Sequence, residues 1–236
     1  MSRKRSLRSD QQLLVGAALL SLALWFVPFG YYAVLPLLFL NTHVHELFHA
    51  LGAIGTGGSV EHILVFGDGS GVTPVRGGNL LVVGSAGYVG ASILGAFFIW
   101  LGRTQKGAQG VFWLMTVVLG IGLILWVRGD GVGLLSGWFW LGVCLSLALW
   151  VRGKPIVFAA QFLGVQLCLA SFQSIFMLYR LSMYAEGQSD ATIMQDATGI
   201  PAVVWAGGWI LFSLLVAGLT LKAAWQDAPR RRASAS

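Results

Sequence analysis

Apolar residues run almost unbroken through residues 11–42, 79–102, 107–127, 131–151, 155–179 and 200–221, and none of these runs contains a charged side chain. Most are close to the roughly 20 residues that a helix needs to cross the hydrocarbon of a bilayer. The first run is long enough for two crossings, with Pro28 and Gly30 as a break between them. The pattern therefore predicts an all-α polytopic membrane protein of six or seven transmembrane helices.

Two segments interrupt the helical pattern. In residues 59–76, "SVEHILVFGDGSGVTPVR", β-branched residues flank the turn-rich "GDGSG", which predicts a small re-entrant or interfacial β-hairpin. Pro74 cannot donate a ladder hydrogen bond, so its strand is expected at an edge. Asp68, Gly69 and Gly71 are expected to serve the turn. Glu61 and His62 are expected at the interface or at a water-filled mouth. The second interruption, residues 180–199, is polar and holds Glu186, Asp190 and Asp196, three of the nine acidic residues of the chain. A helix is expected to start near Pro201.

Composition agrees with a membrane protein: 56% of the 236 residues are hydrophobic and 10% are charged. Residues 1–10, "MSRKRSLRSD", form a basic tail followed by an apolar stretch without a convincing cleavage site, as in a retained signal anchor. The net charge of +6 comes from basic residues at the termini and in short loops, where lipid headgroups and topology account for it, so no nucleic-acid partner is implied. With both termini cytoplasmic and six spans, the loops carrying Arg103, Lys106, Arg152 and Lys154 fall on the same side as the basic termini. Charge thus favours six spans, and helical length favours seven. Residues 223–236 form a polar tail, and the whole chain reads as one integral-membrane domain. Cys144 and Cys168 lie inside apolar runs and read as small hydrophobes.

The chemistry concentrates in "HVHELFH", residues 43–49. At 3.6 residues per turn, His45 and His49 stand one turn apart on one helix face, and Glu46 points about 100° away from His45. This H-E-x-x-H spacing lets two imidazoles hold one zinc ion while the glutamate serves as general base toward water. Two histidines and a carboxylate at membrane depth cost several kcal/mol unless something compensates them, and a divalent cation does so. His43 lies off the ligand face and reads as a supporting or interfacial histidine. A catalytic zinc site needs a third protein ligand. The candidates are Asp190, placed first, with Asp196 as the alternative, then Glu186 and Asp68. Asp190 and Asp196 could instead cap short helical turns in "SDAT" and "QDAT". Gly87, Ala91 and Gly95 form a small-residue stripe expected to let their helix approach the histidine helix.

Four stretches together resemble the site-2-protease class of intramembrane zinc metallopeptidases, and within it the peptidase M50B-like proteins. They are "HELFHALGAIGTGG" (45–58), "DGSGVT" (68–73), "SAGYVGASILGA" (85–96) and "SDATIMQDATGIPAVVW" (189–205). The resemblance implies zinc held by His45, His49 and a late carboxylate, with the "SDA" of such proteins falling on Asp190. It implies Glu46 as the catalytic acid/base, and this chain as a multi-pass protein of the bacterial plasma membrane. The chain departs from the better-known members in having no L-D-G motif and no PDZ-type insertion. The function expected is hydrolysis of a peptide bond in or near a transmembrane segment of a membrane-protein substrate. The alternatives are a divalent-metal transporter and a catalytically silent metal-binding scaffold.

Overall fold

The computed structural model describes residues 7–26, 30–129, 131–169 and 189–226. These residues are mostly helical. Where the sequence left one kinked unit or two crossings open over residues 11–42, the structure has two helices, α1 (Ser9–Phe26) and α2 (Gly30–Gly55). They are followed by α3 (Leu80–Leu101), α4 (Gln105–Leu125), α5 (Gly131–Trp150), α6 (Lys154–Leu169), a short α7 (Asp190–Thr198) and α8 (Ala202–Gln226). Among them α3, α4, α5 and α8 are long and apolar enough to cross a membrane, and α6 is apolar but shorter.

The helix starts are legible as caps. Asn79 accepts from the amides of Leu81 and Val82 at the start of α3, and Thr104 accepts from Gly107 at the start of α4. These side-chain oxygens satisfy amides that have no partner within the helix. α2 continues through Pro36, whose carbonyl accepts the indole N–H of Trp140 at 2.7 Å, tying α5 to α2 at the site of the proline. Phe98, Phe112, Met115 and Leu119 fill a core between α3 and α4, and Leu40, Val44 and Leu47 extend it to α2.

Five short strands lie at one end of the bundle. β1 (Ser59–Val60) pairs antiparallel with β4 (Val75–Arg76), and β2 (Ile63–Val65) pairs antiparallel with β3 (Gly71–Val72). These two rungs form the hairpin expected over 59–76. Asp68 does serve the turn, accepting from the Ser70 amide at 3.0 Å and its hydroxyl at 2.6 Å. Gly69 has φ +86°, which side-chain-bearing residues rarely adopt. β4 has β1 as its one partner among the described residues, so Pro74 does precede an edge strand. A fifth strand not expected from the sequence pattern, β5 (Val127–Arg128), follows α4 and pairs parallel with β2, anchoring the hairpin to the bundle.

The small-residue stripe divides its contacts. A Cβ on Gly87 would collide with the His45 ring, so this part of α3 does lie against α2 as expected. Gly95 instead faces α6, where its added Cβ would sit 2.6 Å from the Gly164 carbonyl oxygen.

Candidate metal centre

His45 and His49 project from the middle of α2 toward α3 and α7. Each imidazole presents Nε2 to the same point: the two Nε2 atoms are 2.8 Å apart, and Asp190 brings Oδ2 to 2.9 Å from His45 Nε2 and Oδ1 to 3.4 Å from His49 Nε2. One ligand atom from each of the three residues lies within 4.8 Å of the others. Among the described residues this is the one cluster of three histidine, cysteine or acidic side chains close enough to hold an ion.

The orientation of the rings is fixed from behind. His49 Nδ1 donates to the Val83 carbonyl oxygen at 2.6 Å, which places its proton on Nδ1 and turns the Nε2 lone pair toward His45 and Asp190. His45 packs edge-on against Tyr88, with ring centroids 4.4 Å apart, and Tyr88 in turn stacks on Trp209 of α8 at 4.8 Å. The absent side chain of Gly87 makes the space that the His45 ring occupies.

Asp190 owes its position to its helix cap. Ser189 takes the cap of α7, accepting from the Thr192 amide while the Thr192 hydroxyl accepts from the Ser189 amide, so the Asp190 carboxylate is not spent on capping. Met194, fully buried one turn further on, docks α7 against Gly84 of α3, where an added Cβ would meet the Met194 sulfur at 2.5 Å. Ala191, Met194, Ala202, Ala206 and Trp209 form one cluster with Tyr88, which seats α7 and α8 over the histidines.

Glu46 is buried on the hairpin side of α2. The Thr73 hydroxyl donates to its Oε2 at 2.7 Å. Gly71 of β3 lies against it so closely that a Cβ there would fall 2.7 Å from Oε1. One turn earlier, the Thr42 hydroxyl donates to the Gly69 carbonyl at 2.6 Å. Two hydroxyls thus clip the hairpin to the metal helix.

The other candidates fall elsewhere. Asp196 is exposed in the interior of α7, so it neither joins the cluster nor caps a helix. Asp68 is exposed at the hairpin tip. Glu186 lies outside the described residues. His43 is fully buried, but faces α5 and bonds to Ser136 Oγ at 3.0 Å, so it is not interfacial and does not touch the ligand triad. Glu61 pairs with Arg76 across the base of the hairpin at 2.5 Å. Gly71 is a correction: its role is not in the turn, but in leaving room for Glu46. Thr73 and Tyr88 carried no local signal beyond their place in "DGSGVT" and "SAGYVGASILGA".

Two imidazole Nε2 atoms and a carboxylate converging on one point fit a divalent cation: with the His49 proton held on Nδ1 by the Val83 carbonyl, its Nε2 lone pair and the Asp190 oxygens face the same space, and a positive charge there compensates them. The profile of the Peptidase M50B-like family matches residues 14–220. The chain belongs to that family. The match spans both halves of the site, from α2 through Asp190 into α8. This M50B-like protein is therefore an integral membrane protein of a metallopeptidase kind. No curated protein and no solved structure matches the chain.

Proposed function

We propose that this M50B-like protein is a zinc endopeptidase that hydrolyses a peptide bond in or beside a transmembrane segment of another membrane protein. The observation that carries the reading is the convergence of His45, His49 and Asp190 beside a buried Glu46 on the same helix. His2Asp donor sets with an open position suit catalytic zinc. The ion would act as a Lewis acid, acidifying a water molecule and polarising the scissile carbonyl.

The side chains divide the remaining work. Thr73 occupies Oε2 of Glu46. Oε1 is left to take the proton of the attacking water, and Glu46 then passes it to the leaving amine nitrogen. His49, with Nδ1 bound to Val83, and Asp190, seated by α7, hold the centre against the pull of substrate. A substrate segment must leave its helical hydrogen bonding to expose its carbonyl, and an edge of the hairpin offers partners to an extended chain.

We read six or seven spans: the four long apolar helices, α2 carrying the site, α6 with the apolar residues that follow it, and α1 if it also crosses. The bacterial plasma membrane is the setting that the family resemblance favours. A zinc transporter needs ligands distributed along a path through several helices, and the described residues supply one cluster. The test is incubation of the purified protein in proteoliposomes with a tagged single-span reporter. Chelator-sensitive release of a fragment cut in or near the span is the expected result. Zinc uptake into the liposomes without fragment release would overturn the reading in favour of transport.

A further inference from the structure

His43 is fully buried on the face of α2 that packs on α5, three residues before Glu46. Its Nε2 lies 3.0 Å from Ser136 Oγ, and the single proton of that hydroxyl is spent on the Gly133 carbonyl at 2.8 Å. The hydroxyl is therefore an acceptor toward the ring, which puts the His43 proton on Nε2, the tautomer opposite to that of His49. The imidazole also bonds to the Gly133 backbone itself. Nδ1 is left as an unprotonated acceptor, buried with no hydrogen-bond partner. Such an orphaned acceptor costs stability. An apolar side chain would fill the same space without that cost, so packing alone does not account for a histidine here.

The bond ends on the first turn of α5, and that turn carries the hairpin. Gly133 lies so close to β2 that an added Cβ would collide with the Val65 carbonyl. Val65 pairs with Gly71 of β3, and a Cβ on Gly71 would fall 2.7 Å from Oε1 of Glu46. The contacts close a ring, from His43 through Ser136, Gly133, Val65 and Gly71 back to Glu46 on the same helix. Further along α5, Gly137 leaves room for the His43 ring, whose Cε1 is 3.1 Å from the position of an added Cβ, and the Trp140 indole holds the Pro36 carbonyl. Side chains thus fix α5 to α2 at two levels, and His43 sets the one nearer the hairpin.

We propose that His43 is a positioning residue for Glu46: through Ser136 and the first turn of α5 it sets the place of the β2–β3 rung, and with it the seating of Gly71 and Thr73 against the carboxylate. The effect on turnover rests on the peptidase reading, while the mechanical link to the hairpin is measurable without turnover.

The test compares the full-length wild type with three variants. His43→Leu removes the donor and the orphaned Nδ1 together, Ser136→Ala removes the acceptor, and His43→Gln keeps an amide N–H near the place of Nε2. The first readout is hydrogen exchange of the Phe66 amide, which donates to the Ser70 carbonyl at 2.8 Å just past β2. His43→Leu and Ser136→Ala are expected to quicken it roughly tenfold without lowering Tm or bound zinc, while the β1–β4 rung, in a separate sheet, keeps its rate. On a single-span reporter the same two variants lower kcat about tenfold at constant KM. His43→Gln restores both exchange and kcat. Phe66 exchange unchanged in His43→Leu, a rise only in step with a fall in Tm, or no recovery in His43→Gln would each overturn the positioning role and leave the peptidase reading intact. Quickened exchange in the variants beside a wild type that does not cleave the reporter would support the link to the hairpin and remove the peptidase reading instead.

Discussion

Thr73 donates its hydroxyl hydrogen to Oε2 of Glu46 at 2.7 Å, joining the hairpin to the metal helix across 27 residues of sequence. The same hydroxyl lies 3.2 Å from the Glu46 backbone oxygen, so it fixes both the carboxylate and the approach of the strand. A hydrogen bond to a charged group contributes about 1.5–3 kcal/mol. If the bond orients Glu46 for proton transfer, Thr73→Val lowers kcat by roughly ten- to a hundredfold with little change in KM, and Thr73→Ser restores most of it. Steady-state cleavage of a reporter by the three proteins, with zinc content measured alongside, checks this. Equal kcat for Thr73→Val and wild type would show that the bond has no part in turnover.

Gly71 gives a steric counterpart. Its Cβ would fall 2.7 Å from Oε1 and 2.8 Å from Cγ of Glu46, so Gly71→Ala must displace the carboxylate or the strand. Gly142 of α5 has nothing within 4 Å of an added Cβ. Gly142→Ala is expected to leave activity intact and raise stability by about 0.5–1 kcal/mol, whereas Gly71→Ala loses most activity. Parallel thermal melts and rate measurements on the two variants separate the effects.

Metal binding is expected to depend on the triad and on its supports. His45→Ala, His49→Ala and Asp190→Asn each lose bound zinc, while Asp196→Asn, altered on the exposed face of α7, keeps it. Gly87→Ala, whose methyl would strike the His45 ring, is expected to weaken affinity about 10- to 100-fold, as supporting-residue changes do. Because an ion bound at 100 times its Kd stabilises the folded state by about 2.7 kcal/mol, chelation should lower the Tm of wild type and of Asp196→Asn, but not of the triad variants. A chelator-induced drop of equal size in His49→Ala would place the metal elsewhere.

The base of the hairpin should loosen in acid. The Arg76 guanidinium beside Glu61 holds its carboxyl below the ordinary value of 4.5. A carboxyl with a depressed folded-state value contributes stability that is present above 4.5 and is lost as pH falls below it. Both groups are exposed, so the effect is small and screened by salt. Amide exchange of Ser59 and Arg76, which face each other across β1 and β4, should quicken as pH drops below this point, after correction for intrinsic rates. Glu61→Gln should abolish the pH dependence.

Much of the site was legible because its parts are local patterns. The spacing of His45 and His49 is a property of one helix, and the turn at Asp68 to Ser70 is written in four residues. Asp190 could be ranked first from resemblance, but its freedom to face the histidines depends on Ser189 taking the cap, a competition between neighbours that a single sequence does not resolve. Asp196 looked equivalent as a cap because "QDAT" resembles "SDAT", yet α7 runs unbroken through it. Thr73 and Gly71 were not legible as partners of Glu46, since their roles come from the hairpin folding back on α2. The pairing of Ile63 and Leu64 with Val127 and Arg128 was hidden for the same reason: two residues of strand between two apolar helices leave no periodicity to read. Small-residue spacing on α3 predicted close approach, but not that Gly87 would meet a histidine and Gly95 a different helix.

The most direct test of the central claim is the cleavage rate of a single-span reporter by zinc-loaded Glu46→Gln, measured beside wild type with bound zinc quantified in both. The account predicts equal zinc and a loss of cleavage of at least about a hundredfold, in line with the removal of a general base. Cleavage by Glu46→Gln at the wild-type rate, with zinc in place, would contradict it.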